Sequence, residues 1–429
     1  MSFPRYPAYK PSGVEWLGEV PDHWEITKLG RICKFESGKA HEPFIDDEGG
    51  FICVNSRFIS TEGKTVKNCR ENLSPALRDD VLAVMSDLPN GRALGKAFFV
   101  EEDRVYAVNQ RVCRLTPVNV SPRLLFWLVN RNPGLLWFDD GVNQTHIPNS
   151  GFTKLIVALP GNGEQSLIAS FLDRETAKID ALIAEQQRLI ELLQEKRQAV
   201  ISHAVTKGLN PEAPMKDSGV EWLGEVPEHW EVKPLKHLCE IYSGFPFRSD
   251  LFQSDGIPVV RMSNISGGTI DLQDAVFVPK HEVPPEALIR AGDLLLGLSG
   301  SVGNFGIATD GDLPAAVNQR VALIRTSNPI LKHFLGSPLF SDQVTCGLPS
   351  TTIANVSASQ LGNCLLALPP LNEQEHINEF LSDFESGSVG LGAAVESSIS
   401  LMQERRSALI SAAVTGQIDV RGLVTEEAA

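Results

Sequence analysis

The stretch SGVEWLGEVPDHW at Ser12–Trp24 returns as SGVEWLGEVPEHW at Ser218–Trp230, with Asp22/Glu228 the sole difference. Working outward, AVNQRV at Ala107–Val112 returns at Ala316–Val321, ALP at Ala158–Pro160 returns at Ala367–Pro369, and EQ at Glu164–Gln165 returns at Glu373–Gln374. EKRQAVISHAVT (Glu195–Thr206) closes the series as ERRSALISAAVT (Glu404–Thr415). The offset is 206 residues for the first block and 209 for all the others. A repeat of about 200 residues is a duplicated domain, because solenoid units run about 20–50. The frames are kept while the contents between them differ. That pattern predicts two modules of one shape that recognise two different things.

The bulk composition sets limits on the function. At 42% hydrophobic and 21% charged, the chain of 429 residues reads as a soluble globular protein. Met1–Lys10 lacks the apolar core of a signal peptide. No run of about 18 apolar residues occurs, so no membrane span is expected. The seven cysteines are odd in number and form no CxxC pair, which predicts buried thiols in a reducing cytoplasm, with no zinc. The net charge of −15 is unusual for a nucleic-acid binder. Between Val20 and Pro160, however, 17 Lys/Arg balance 17 Asp/Glu, so the first variable region is neutral. Strong phosphate binding would call for a more basic partner.

Each module has three parts. In the opening segment Pro21 and Pro227 break any helix, and Trp16, Trp24, Trp222 and Trp230 are expected to pack it down. A variable region of β-like runs follows: Gly49–Ser60, Lys96–Val100 and Arg104–Thr116 in the first copy, Gly256–Ile265, Ala291–Thr309 and Ala315–Thr326 in the second. A helical stretch is predicted over Pro122–Gly134. Last comes a long helix. Leu172–Ala204 holds no Gly or Pro, and Ile179, Leu182, Gln186, Leu189, Leu193, Lys196 and Val200 form a coiled-coil stripe. The second stripe is Leu391, Val395, Ser398/Ile399, Met402, Arg405 and Leu409, with a kink or fraying expected at Gly387, Gly390 and Gly392.

The predicted fold is α+β: two mixed α/β recognition domains separated by an antiparallel two-helix coiled coil, with pseudo-two-fold repetition. The expected boundaries are 1–163, the helix 164–206, 207–372, the helix 373–416 and a tail 417–429. About 33 helical residues at 1.5 Å make a rod of roughly 50 Å, the span of about 15 base pairs. Paired heads at such a spacing suit a bipartite DNA site.

Catalytic signatures are missing. No GxxxxGK[ST] loop, strand-borne GxGxxG, methyltransferase tetrapeptide, HExxH, GxSxG or nuclease carboxylate–lysine cluster occurs, and the nine histidines are scattered. The chain reads as a recognition protein.

The residues resemble those of a known family, the DNA-specificity subunits of type I restriction–modification systems, over nearly the whole chain. SGVEWLGEVPxHWE resembles the family's opening block, and TTIANVSASQLGNCLLALPPLNEQ (Thr351–Gln374) its passage into the long helix. GDLLLGLSGSVGNFGI (Gly292–Ile307) is similar to its target-domain strand and loop, and ERRSALISAAVTGQIDV (Glu404–Val420) to its helix ending. PGNGEQ (Pro160–Gln165) and MSDLPNGRALGKAFF (Met85–Phe99) depart from the corresponding patterns. The resemblance implies a cytoplasmic, prokaryotic host-defence protein. Two target-recognition domains would each read half of a split asymmetric DNA site, and the helices would set the gap and dock two adenine-methyltransferase subunits. Those subunits would carry S-adenosylmethionine, and restriction subunits would use ATP. The chain itself would need no cofactor.

Base readout needs forked or bidentate side chains. In the second module the candidates are Arg261, Ser263 and Asn264, then Ser299, Ser301 and Asn304 in the Gly-rich loop, then Thr351 and Thr352. In the first module they are Arg57, Arg92, Lys96, Gln144 and His146. The shared Asn-Gln-Arg (Asn109–Arg111, Asn318–Arg320) is assigned to scaffold or phosphate contact, since modules that read different sequences should not share base readers. A two-headed protein-binding scaffold is the alternative, and the acidic charge suits it. An enzyme with an unfamiliar site is disfavoured, because no His/Asp/Glu cluster recurs in both copies.

Overall fold

The computed structural model describes residues 3–87, 93–102, 105–137, 145–299, 304–345 and 356–423. The chain divides into two compact units, Met1–Gln186 with Ser397–Ala429, and Gln187–Glu396.

Both units follow one plan, as the repeat predicted. In the first, the hairpin Tyr9–Pro11/Glu19–Pro21 opens the domain and the ladder Glu25–Lys28/Ile156–Leu159 closes it. Between them an antiparallel sheet runs in the order Cys33–Ser37, Val112–Pro117, Val81–Val84, Ala97–Phe99. A second sheet pairs Phe51–Val54 in parallel with Tyr106–Val108. In the second unit the hairpin is Met215–Asp217/Glu225–Pro227 and the closing ladder Glu231–Pro234/Leu365–Leu368. The four-stranded sheet is Glu240–Ser243, Val321–Arg325, Leu294–Gly297, Phe305–Ile307. Ile257–Val260 pairs in parallel with Ala316–Val317.

Trp24 and Trp230 are buried, and Trp16 and Trp222 pack partly buried against the cores of their own units. Each long helix ends at a left-handed glycine, Gly208 (φ +75°) or Gly416 (φ +74°), the usual C-terminal stop. A Cβ at Gly208 would sit 3.0 Å from the Trp230 ring, so the stop and the tryptophan fix each other.

The long helices are Asn162–Lys207 and Leu371–Val414. In the first unit they run antiparallel: Arg406 pairs with Asp180 at 2.8 Å, and Arg174 donates to the Leu423 carbonyl at 3.0 Å. In the second, Arg197 pairs with Glu385 at 2.7 Å. The heptad spacing is present but its phase differs from the predicted stripe. Leu182, Leu189 and Lys196 are exposed, and the less exposed row runs through Ile179, Ile183, Gln186, Ile190, Leu193, Arg197 and Val200. Leu391 and Arg405 likewise give way to Gly392 and Arg406. Steps of three and four alternate in either phase, so only packing against the partner face selects between them.

Three further expectations are corrected. The helix passes unbroken through Gly387, Gly390 and Gly392, because a cost of about 1 kcal/mol each is small beside the packing on either flank of a 44-residue helix. Gly49–Ser60 is strand only over Phe51–Val54; Asn55 then caps the short helix Ser56–Ser60 by accepting from Phe58 N at 2.9 Å. Pro122–Gly134 is two helices, Pro122–Val129 and Pro133–Leu136, because Asn132 caps the second and Pro133 cannot continue the first. Among the described residues, no helix is long and apolar enough to cross a membrane. Cys33, Cys53, Cys69, Cys113, Cys239 and Cys364 are free thiols; burial pushes Cys33 up to about 12 and Cys364 to about 11.

Candidate nucleic-acid interface

The shared AVNQRV motif sits where the two sheets of each unit cross. The Asn109 amide donates to Val54 O at 3.0 Å, and its carbonyl accepts from Val112 N at 2.9 Å. Asn318 repeats both bonds with Val260 O and Val321 N. The returning strand passes so close that only glycine fits there. A Cβ at Gly38 would overlap the Asn109 carbonyl and lie 2.6 Å from Val108 O; at Gly244 it would overlap the Asn318 carbonyl and lie 2.9 Å from Val317 O. The two glycines, and the buried alanine and valines of the motif, are therefore scaffold requirements.

Two more loops join this crossing through main-chain bonds. Met85 N donates to Arg111 O at 2.9 Å, and Ile147 N donates to Met85 O at 2.7 Å. In the second unit Leu298 N donates to Arg320 O at 2.9 Å, and Val356 N donates to Leu298 O at 2.8 Å. So Met85 and Ile147 in the first unit, and Leu298 and Val356 in the second, meet the motif's Gln-Arg at one end of the sheet. At the strand's other end lies a buried aspartate in each unit. Asp80 takes Thr116 Oγ1 at 2.5 Å, and Arg325 reaches Asp293 at 3.1 Å. Burial raises the Asp80 carboxyl above the ordinary range, although hydrogen bonds from Thr116 and Leu77 oppose it. These carboxylates are interior ties beneath the sheet.

The backbone registers align the candidates. Val84 N bonds Lys96 O at 3.0 Å, and Gly297 N bonds Asn304 O at 2.9 Å, so Lys96 and Asn304 are equivalent. The Val54/Val260 match makes Arg57 equivalent to Ser263, and Asn55 to Arg261. Arg57, Ser263, Asn304 and His146 are exposed. Lys96 Nζ is held by Ser60 O at 2.9 Å and Glu62 at 3.2 Å, while Arg261 Nη2 donates to Asp274 O at 3.1 Å. Asn264 and Ser299 are buried. Asn264 bonds Arg261 N and Asp271 O, and the Ser299 hydroxyl lies 3.4 Å from Met262 Sδ. Arg92, Gln144, Ser301, Thr351 and Thr352 lie outside the described residues.

Sequence reading missed the pairs that seat each domain on its helix. Trp127 Nε1 and Arg123 bond Asp173 at 2.8 and 2.9 Å in the first unit. In the second, buried His333 lies 3.1 Å from Glu385 and 3.2 Å from Asn378 Oδ1. It also missed His23–Glu164 (3.0 Å) and His229–Glu373 (2.6 Å), although His and Glu stand at matching places in both copies.

A family model described as "Type I restriction modification DNA specificity domain" matches residues 21–192 and again 227–399. The chain belongs to that family. Its role is DNA sequence specificity, and its doubled plan is the family's domain present twice. Similar proteins include the type I restriction enzyme MjaVIII specificity subunit of Methanocaldococcus jannaschii, 25% identical over 94% of this chain and 95% of that one. The EcoBI specificity subunit of Escherichia coli is 23% identical over 72% and 69%. A chain from a solved structure describing complex assembly and conformational transition of the type I R-M system shares the fold, with TM-score 0.63 and 18% identity over 94% and 99% of the two chains.

Proposed function

We propose that each recognition domain reads one half of a split asymmetric DNA site and that the chain is a non-catalytic subunit. Two adenine-methyltransferase subunits dock on the long helices and bring S-adenosylmethionine, restriction subunits bring ATP, and the helices set the number of unread base pairs. The observation that carries this reading is the exchange of an exposed polar side chain on a common main-chain frame: Arg57 and Ser263 occupy equivalent places with different side chains. Fixed frames with exchanged polar groups are what two readers of different bases require. Arg57, His146, Arg261, Ser263 and Asn304 are the proposed readers among the described residues. Replacing 246–361 with the corresponding region of a relative tests the reading. Methylation mapping in the host should show one half of the motif changed and the other kept; a change in both halves would show that the domains are not independent.

A further inference from the structure

We infer that Arg111 and Arg320 are the sequence-independent phosphate contacts of the two domains, one in each, that seat the duplex against the reading loops. This rests on the DNA-reading role proposed above. Most of the shared AVNQRV motif has a structural reason to be identical. Ala107, Val108 and Val112, like Ala316, Val317 and Val321, are fully buried, and the asparagine side chains bond within their own units: Asn109 Nδ2 donates to Glu42 at 3.3 Å, and Asn318 Oδ1 accepts from Arg320 N at 3.4 Å. Gln110-Arg111 and Gln319-Arg320 have none, because all four are exposed in both units. Equivalent exposed positions nearby have diverged, Arg57/Ser263 among them.

The chain is acidic, at −15, and elsewhere its arginines are commonly neutralised: Arg114 by Asp80, Arg123 by Asp173, Arg197 by Glu385, Arg325 by Asp293, Arg406 by Asp180. Arg111 and Arg320 make no ion pair and no side-chain hydrogen bond among the described residues. Both stand at the same end of the inner sheet strands, Val81–Val84 and Leu294–Gly297, since their own carbonyls hold Met85 N and Leu298 N. A base reader would differ between domains that read different bases, and a packing residue would be buried. A guanidinium kept the same and kept unpaired matches the one ligand common to both half-sites, the phosphate backbone. The exposed glutamine beside it adds a second donor.

The test uses the full chain reconstituted with modification subunits and a duplex pool with a randomised centre, comparing wild type with Arg111→Ala, Arg320→Ala and Arg111→Lys. Each alanine variant should select the wild-type motif and bind every selected duplex more weakly by one common factor. The slope of log K against log salt should fall by about 0.9 in magnitude, which corresponds to about eightfold at 0.1 M salt relative to 1 M. Arg111→Lys should keep the slope. Melting should be unchanged in all three, which separates this loss from unfolding. An altered half-motif would make the arginine a base reader, and an unchanged slope would make it an idle surface residue; either overturns the inference. A wild-type complex that selects no motif removes the DNA-reading role itself, and the inference with it.

Discussion

Glu385→Gln should destabilise the second unit by about 2–3 kcal/mol at pH 7 and by about 1 kcal/mol at pH 3. The carboxylate lies between buried His333 Nδ1 at 3.1 Å and Arg197 Nη2 at 2.7 Å. Burial alone would raise its pKa, but the hydrogen bonds and charges of His333 and Arg197 outweigh that effect and hold it at about 2 against an ordinary 4.5. That displacement corresponds to about 3 kcal/mol, and partial exposure of Arg197 and Glu385 trims it to about 2–3 kcal/mol. A lowered carboxylate stabilises the fold above its unfolded value and loses that stabilisation as pH falls from about 4.5 towards about 2. For a unit of this size, about 2–3 kcal/mol is a drop in melting temperature of about 4–12 °C. Thermal and urea unfolding of wild type and variant at both pH values reads the difference directly. A gap under about 0.5 kcal/mol at pH 7, the scale of an unremarkable surface substitution, or an equal gap at pH 3, would refute the argument.

Gly244→Ala drives a Cβ into the Asn318 carbonyl, so the sheet crossing of the second unit should open at a cost of about 1–3 kcal/mol or more, with specificity lost for one half-site only; the same change at Gly311, where a Cβ meets only Thr309 Oγ1 at 3.7 Å, is the comparison for methylation mapping and melting. The isolated chain incubated with S-adenosylmethionine and host DNA should transfer no methyl group, and transfer above blank contradicts the non-catalytic reading. Inserting one heptad at Gln186 and one at Val395 keeps the helix stripes in register and adds about 10 Å, or about three base pairs, to what the helices measure. Mapped methylation sites should then show a longer gap with both halves unchanged, and an unchanged gap assigns the distance to partner subunits.

Much of the fold was legible because it was written twice. Identity between copies located the tryptophan segments and the helix ends, and set the shared AVNQRV apart as scaffold or phosphate contact. What stayed hidden depends on three-dimensional competition. Ile183 and Leu182 are equally plausible seam residues by spacing, and only the facing helix separates them. Three glycines predict a weak helix locally, yet a helix 44 residues long carries them. In the site, Lys96 and Asn304 were found separately by residue type; their equivalence appeared only through the ladder register. Asn264 had the right chemistry for adenine but spends it on Arg261 N and Asp271 O. Gly38 and Gly244 left a signal in the Ser-Gly shared by both copies at Ser37-Gly38 and Ser243-Gly244, which residue chemistry alone passes over.

The bonds that hold the reading loops to their sheet run from amide to carbonyl: Met85 to Arg111, Ile147 to Met85, Leu298 to Arg320, Val356 to Leu298. Every amino acid but proline brings the same amide, so the attachment is indifferent to what the loop says. Mutation and recombination are thereby free to rewrite the loops while inheriting the socket intact.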